Sequence, residues 1–147
     1  MSRYRKKFFM EARVENVWQL MSDPDRLPEW NGAFDRIENA SGRLDEIGTT
    51  YTQVTKLAGI DLKGDWEITA VDPMHSRQFT GTPPGFSWCN GSDSFEPKDS
   101  GTEYTVEMDY GLLGGPIGAV ADRLYGRSLL ERIIERNIEK LRLILET

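Results

Sequence analysis

Cysteine and histidine are almost absent: Cys89 and His75 each stand alone among 147 residues. One thiol excludes an internal disulfide, and the pair cannot assemble a structural zinc site. Basic charge is in deficit, with 18 Lys and Arg against 24 Asp and Glu and a formal net charge of -6. That balance argues against nucleic acid as a partner, because such binding rests on neutralising phosphates. The one basic cluster, residues 3–7, reads as a solvated strand edge. After it only Phe8-Phe9-Met10 precede Glu11, too short for a signal-peptide core, and no stretch approaches membrane-spanning length. The expectation is a cytoplasmic protein without stable membrane insertion, in which the sequons at Asn39 and Asn90 carry no glycan. Linkers, low-complexity runs and solenoid-length repeats are also missing, so residues 1–147 read as one domain, long enough to bury a core. Hydrophobic content of 38% with charged content of 29% is ordinary for a water-soluble globule.

What is present changes texture along the chain. Residues 3–10 read as a strand. Val14, Val17, Trp18 and Met21 then recur at helical spacing, and Asp23-Pro24 stops that helix. The proline-bounded piece 24–30 suits one further helical turn. From Phe34 to about Tyr110, short β-prone runs alternate with turn chemistry such as Asp72-Pro73-Met74 and Pro83-Pro84-Gly85. In residues 102–110, Tyr104, Val106, Met108 and Tyr110 fall on one face, with Glu103, Thr105, Glu107 and Asp109 on the other. Such alternation predicts an antiparallel sheet with one buried and one wet face. Residues 116–145 predict a long amphipathic helix carrying Ile117, Val120, Leu124, Leu130, Ile134, Ile138, Leu141 and Leu145 on its apolar side. Gly126 interrupts that spacing, as a bend or a close contact would.

A lone sheet cannot bury its apolar face, and only the C-terminal helix is long enough to cover it. The fold class is therefore α+β, a curved antiparallel sheet gripping one helix, with two short helices after the first strand. A hollow between sheet and helix, lined by aromatics, is the default ligand site.

Three local motifs carry a family resemblance. The stretch Val17-Trp18-Gln19-Leu20-Met21-Ser22-Asp23-Pro24-Asp25-Arg26-Leu27-Pro28-Glu29-Trp30-Asn31 resembles a signature of the START-like (SRPBCC) superfamily. Gly101-Thr102 opens the last strand after a proline-bearing turn, and a glycine-rich loop at 111–118 feeds a helix ending Asn137-Ile138-Glu139-Lys140-Leu141. The chain resembles most the polyketide cyclase/dehydrase and coenzyme-Q-binding branch. The resemblance implies a helix-grip fold of about seven strands. It implies a small hydrophobic partner (lipid, quinone or polyketide-like) and no metal or redox cofactor. It leaves the ligand and the oligomeric state open, since one fold hosts many functions.

The expected cavity wall is Trp30, Phe34, Tyr51, Trp66, Phe79, Trp88, Tyr104, Met108 and Tyr110, with Leu124 from the helix. Each large apolar side chain taken singly is more often plain core. Together they supply many aromatics with polar handles, which suits a ring system better than close-packed aliphatics would. Trp18 is expected to pack the first helix onto the sheet, and Cys89 to behave as a small buried hydrophobe. Tyr51, Tyr104, Tyr110, Arg77 and Arg123 are the candidate donors to a ligand carbonyl or enolate. Glu107, Asp109, Asp65 and Glu67 fall on the wet face, and His75 in a hairpin turn. No catalytic set can be assigned, since no Ser/His/Asp or Cys/His group can be drawn. The loop 111–118 lacks GxGxxG and a P-loop lysine, and is expected to act as an entrance flap rather than a nucleotide cradle. Non-covalent binding of an apolar ligand is the first reading. A polyketide aromatase/cyclase or dehydratase using the same cavity is the alternative, and an interaction module on the outer sheet face the third.

Overall fold

The computed structural model describes residues 2–115 and 126–146. Its elements run β1 (Ser2–Met10), α1 (Val14–Ser22), α2 (Leu27–Trp30), β2 (Arg36–Glu38), β3 (Thr50–Leu57), β4 (Ile60–Asp72), β5 (Ser76–Gly81), β6 (Phe86–Lys98), β7 (Gly101–Leu112) and α3 (Arg127–Leu145). The seven strands form one antiparallel sheet in the order β1-β7-β6-β5-β4-β3-β2. Each of β2 to β7 pairs with its sequence neighbour, while α1 and α2 carry the chain from β1 at one edge to β2 at the other. This is the helix-grip arrangement expected from the sequence. The part of the predicted helix at 116–125 lies outside the described residues.

Alternation along β7 holds as predicted: Tyr104, Val106 and Tyr110 are buried, while Glu107 and Asp109 face Arg3 and Arg5 across the outer surface. Two bulges break the strict period elsewhere, one between Ile68 and Ala70 in β4 and one between Phe86 and Trp88 in β6. Each inserts an unpaired residue and reverses which parity faces the helix beyond it.

The described helix α3 lies on the buried face of the sheet through Ile134, Asn137, Ile138 and Leu141. Burying each of its three aliphatics contributes about 1.5–3 kcal/mol. At its edges the helix is tied to β1, where Arg142 Nη2 donates to the Phe9 carbonyl at 2.8 Å and Lys6 meets Glu135 at 2.9 Å. Helix α1 closes the far end. Its Trp18 ring meets Phe95 edge-on at 5.3 Å between centroids, the packing role expected for it.

Gly64 is among the glycines dictated by close approach. A Cβ on Gly64 would stand 2.3 Å from the Thr82 carbonyl oxygen and 2.7 Å from Pro83 Cα. Gly64→Ala must therefore push backbone rather than a pliable side chain. It is expected to lose about 1–3 kcal/mol in urea unfolding.

Candidate functional site

Between the sheet and α3 lies a cavity of about 140 Å³. Tyr51, Trp66, Phe79, Tyr104 and Met108 wall it from the strands, Ile134, Ile138 and Leu141 from the helix, and Trp30 and Phe34 from the end capped by α2. The aromatics are held by one another: Phe34 lies 6.3 Å from Tyr51, and Trp66 meets Phe79 edge-on at 5.5 Å. Trp66 is fixed further by its indole N–H, which donates to Gln53 Oε1 at 2.8 Å.

A buried polar cluster interrupts this apolar lining. Arg77 and Asp93 are only 5% and 4% exposed and both reach the cavity. Arg77 Nε donates to Asp93 Oδ2 at 2.9 Å, and Arg77 Nη1 donates to the Leu44 carbonyl at 3.1 Å. The Tyr104 hydroxyl donates to Asp93 Oδ1. Both carboxylate oxygens are thus engaged, which is the condition under which a buried ion pair is tolerated. Burial, reinforced by Asp93, holds the Tyr104 phenol well above its ordinary pKa, and burial does the same for Tyr51. At the opposite wall Asn137 Oδ1 accepts from the Gly32 amide at 3.0 Å. The buried indole nitrogen of Trp30 has no hydrogen-bond partner among the described residues.

Of the residues expected at the wall, Trp30, Phe34, Tyr51, Trp66, Phe79, Tyr104 and Met108 line the cavity. Trp88 does not. The bulge turns Phe86 inward and Trp88 onto the outer face, where its indole covers Gly111 so closely that a Cβ there would stand 2.6 Å from Nε1. Cys89 takes the inward position. Tyr110 is buried but packs edge-on against Phe86 at 5.4 Å, away from the cavity. Leu124 and Arg123 lie outside the described residues, as does the 116–118 part of the proposed flap.

The exposed carboxylates are where alternation put them. Asp109 pairs with Arg3 at 2.8 Å, Asp65 accepts from Thr52 Oγ1 at 2.9 Å, and Glu67 and His75 are exposed. Asp93, Asn31 and Asn137 were missed among the cavity residues. Asp93 had a legible signal: the tight β6–β7 hairpin pairs Lys98 with Gly101, and counting back sets Asp93 opposite inward-facing Val106. Asn137 sits one residue before Ile138 on the predicted apolar stripe, but a polar residue there gives no sign that its amide reaches across to Gly32.

Cys89 is fully buried, and burial pushes its thiol pKa up to about 12. Native protein at pH 8 is expected to react with a disulfide reagent only as fast as it unfolds, giving one equivalent at once in denaturant. The raised values also set an alkaline limit. The folded pKa of Cys89 lies above the unfolded value of about 8.5. Its stabilising contribution is therefore complete below that pH and is lost as pH rises towards 12. Tyr51 and Tyr104 add losses of the same sign above their ordinary range. Unfolding midpoints should fall from about pH 9 upward, and Cys89→Ala should remove the earliest part of that fall.

A sheet wrapped on a terminal helix, with an aromatic cavity between them, defines a START-like helix-grip protein. The sequence matches the family described as "Polyketide cyclase / dehydrase and lipid transport" over residues 1–146, and the chain belongs to that family. The family description joins cyclases, dehydrases and lipid carriers, so the role it supports is ligand binding or cyclisation. No protein of curated function matches it in sequence. The fold is similar to that of TTHA0849 from Thermus thermophilus, with a TM-score of 0.74 and 19% identity over 96% of this chain and 94% of that one. It is similar to Ara h 8.0201, with a TM-score of 0.76 and 14% identity over 98% of this chain and 97% of that one. It also resembles the di-domain ARO/CYC StfQ from the steffimycin biosynthetic pathway, with a TM-score of 0.78 and 14% identity; there 98% of this chain matches 50% of the other. At these identities the likeness is one of fold. Among the described residues no helix is long and apolar enough to cross a membrane.

Proposed function

We propose that the chain, as one domain over residues 1–147, binds a small apolar molecule non-covalently in the cavity between sheet and α3. The observation that carries this reading is an aromatic-walled space of about 140 Å³ between the sheet and α3. Dry apolar cavities of about 150 Å³ take up benzene-sized molecules. Lipid, quinone and polyketide-like ligands share the apolar surface such walls favour, and the lining named above is the proposed contact set.

Binding is preferred to cyclase or dehydratase chemistry for a specific reason. Acid–base catalysis needs a group free to give or take a proton at the ligand. Asp93 has both oxygens engaged, and the Tyr104 and Tyr51 phenols are held protonated through the neutral range. The Tyr104 proton is committed to Asp93, but neither Tyr51 nor Arg77 is thereby barred from donating a hydrogen bond, which is what orienting a bound molecule requires.

Val106→Phe tests the reading, because Val106 lines the cavity from β7. A filled core would lose about 1–3 kcal/mol on receiving the larger ring, whereas a hollow takes it with a loss under about 1 kcal/mol. Toluene, titrated by NMR, should bind the parent protein and bind Val106→Phe at least about tenfold more weakly. Absence of toluene binding to the parent, or equal binding to both, would remove the proposal.

A further inference from the structure

We infer that the cavity selects uncharged molecules carrying a hydrogen-bond acceptor, such as an aromatic ketone, and rejects the corresponding carboxylates. This rests on the binding reading above and narrows the class of ligand. Among the described lining residues the only charged groups are Arg77 and Asp93, and they neutralise each other at 2.9 Å. A lone Arg77 would make this wall an anion site. With Asp93 in place, an entering carboxylate meets a like charge beside the cation and finds Arg77 Nε already committed to Asp93 and Nη1 to the Leu44 carbonyl. It would have to leave water without gaining a counter-ion of its own, which disfavours it strongly in so apolar an enclosure.

The preference for an acceptor comes from Trp30. Trp30 lines the cavity, is nine-tenths buried, and carries an indole N–H with no partner among the described residues. Trp66, the other indole of the wall, has its N–H answered by Gln53. An unanswered buried donor destabilises the protein until an acceptor meets it. A hydrocarbon leaves that donor as it is; a carbonyl oxygen that reaches it relieves it.

Three nearly isosteric one-ring probes separate these terms: acetophenone, α-methylstyrene and benzoate, titrated by NMR at pH 7.5 against the parent, Trp30→Phe and Asp93→Asn. The parent should bind acetophenone about fivefold more tightly than α-methylstyrene. It should bind benzoate at least about tenfold more weakly than either. Trp30→Phe, which keeps a ring but loses the donor, should erase the difference between the first two. Asp93→Asn keeps one acceptor for Arg77 and offers an NH2 donor to the Tyr104 oxygen, while it frees the guanidinium charge, so benzoate should gain at least about tenfold while acetophenone stays within about threefold. Should Asp93→Asn fail to fold, the ranking in the parent and in Trp30→Phe decides. Benzoate binding the parent as well as acetophenone overturns the charge selection, and equal binding of acetophenone and α-methylstyrene overturns the acceptor preference. Toluene bound with the three probes ranked equally sinks the selectivity alone. Failure of toluene as well sinks the binding reading and this inference with it.

Discussion

Asp93→Ala is expected to lower the unfolding free energy by about 3–5 kcal/mol, the scale of breaking a buried ion pair from one side. The loss does not measure what the pair contributes. Removing the carboxylate leaves the Arg77 guanidinium, 5% exposed, with the Leu44 carbonyl as its remaining hydrogen-bond acceptor and the Tyr104 hydroxyl with none among the described residues. Replacing the whole cluster tests this. Arg77→Met, Asp93→Leu and Tyr104→Phe together remove every strongly polar group of the trio and leave only the Leu44 carbonyl short of a partner. The triple variant should recover most of the loss, ending within about 2 kcal/mol of the parent. Denaturant melts of the single and triple variants give the comparison. A triple variant as unstable as Asp93→Ala would mean that the cluster holds the sheet together rather than merely being tolerated within it.

Trp18→Ala should be the other severe change, losing about 3–5 kcal/mol. Its ring is buried from α1 against Phe95, and the Arg77 guanidinium lies 6.0 Å from its centroid, so a truncation opens space on two sides. Trp88→Ala, an identical change in composition, should lose no more than about 1 kcal/mol. Its indole is half-buried on the outer face over Gly111, with solvent ready to fill the space. Neither variant removes a cavity wall, so toluene affinity in folded protein should shift by less than about threefold in both. A large stability loss in Trp88→Ala would show that the bulge does not turn this side chain outward.

Strict alternation from Thr102 to Tyr110 was enough to assign the inner and outer faces of β7, because a strand without bulges has only one way to present period-two side chains. The same logic failed on β6, at Trp88. Ser87 is the inserted residue there, and nothing in Phe86-Ser87-Trp88-Cys89 marks which of them goes unpaired. Tyr110 failed differently: its face was right, but the cavity ends before it, and the reach of a cavity depends on where the helix lies. Asp93 could have been reached by counting from the hairpin, yet an acidic residue on an inner face is disbelieved until its partners are visible.

The sequence by itself determined the element order, the antiparallel class of the sheet, the apolar stripe of α3 and the exclusion of an internal disulfide. These are properties of near neighbours in the chain, carried by period, turn residues and composition. Only the tertiary structure decided which aromatics enclose space and which merely pack. It alone brought Arg77 on β5, Asp93 on β6 and Tyr104 on β7 into one hydrogen-bonded group. Strand pairing joins residues far apart in sequence, and a single bulge changes the register of all that follows. Where a cavity begins and ends is fixed by that register together with the seating of one helix across the sheet.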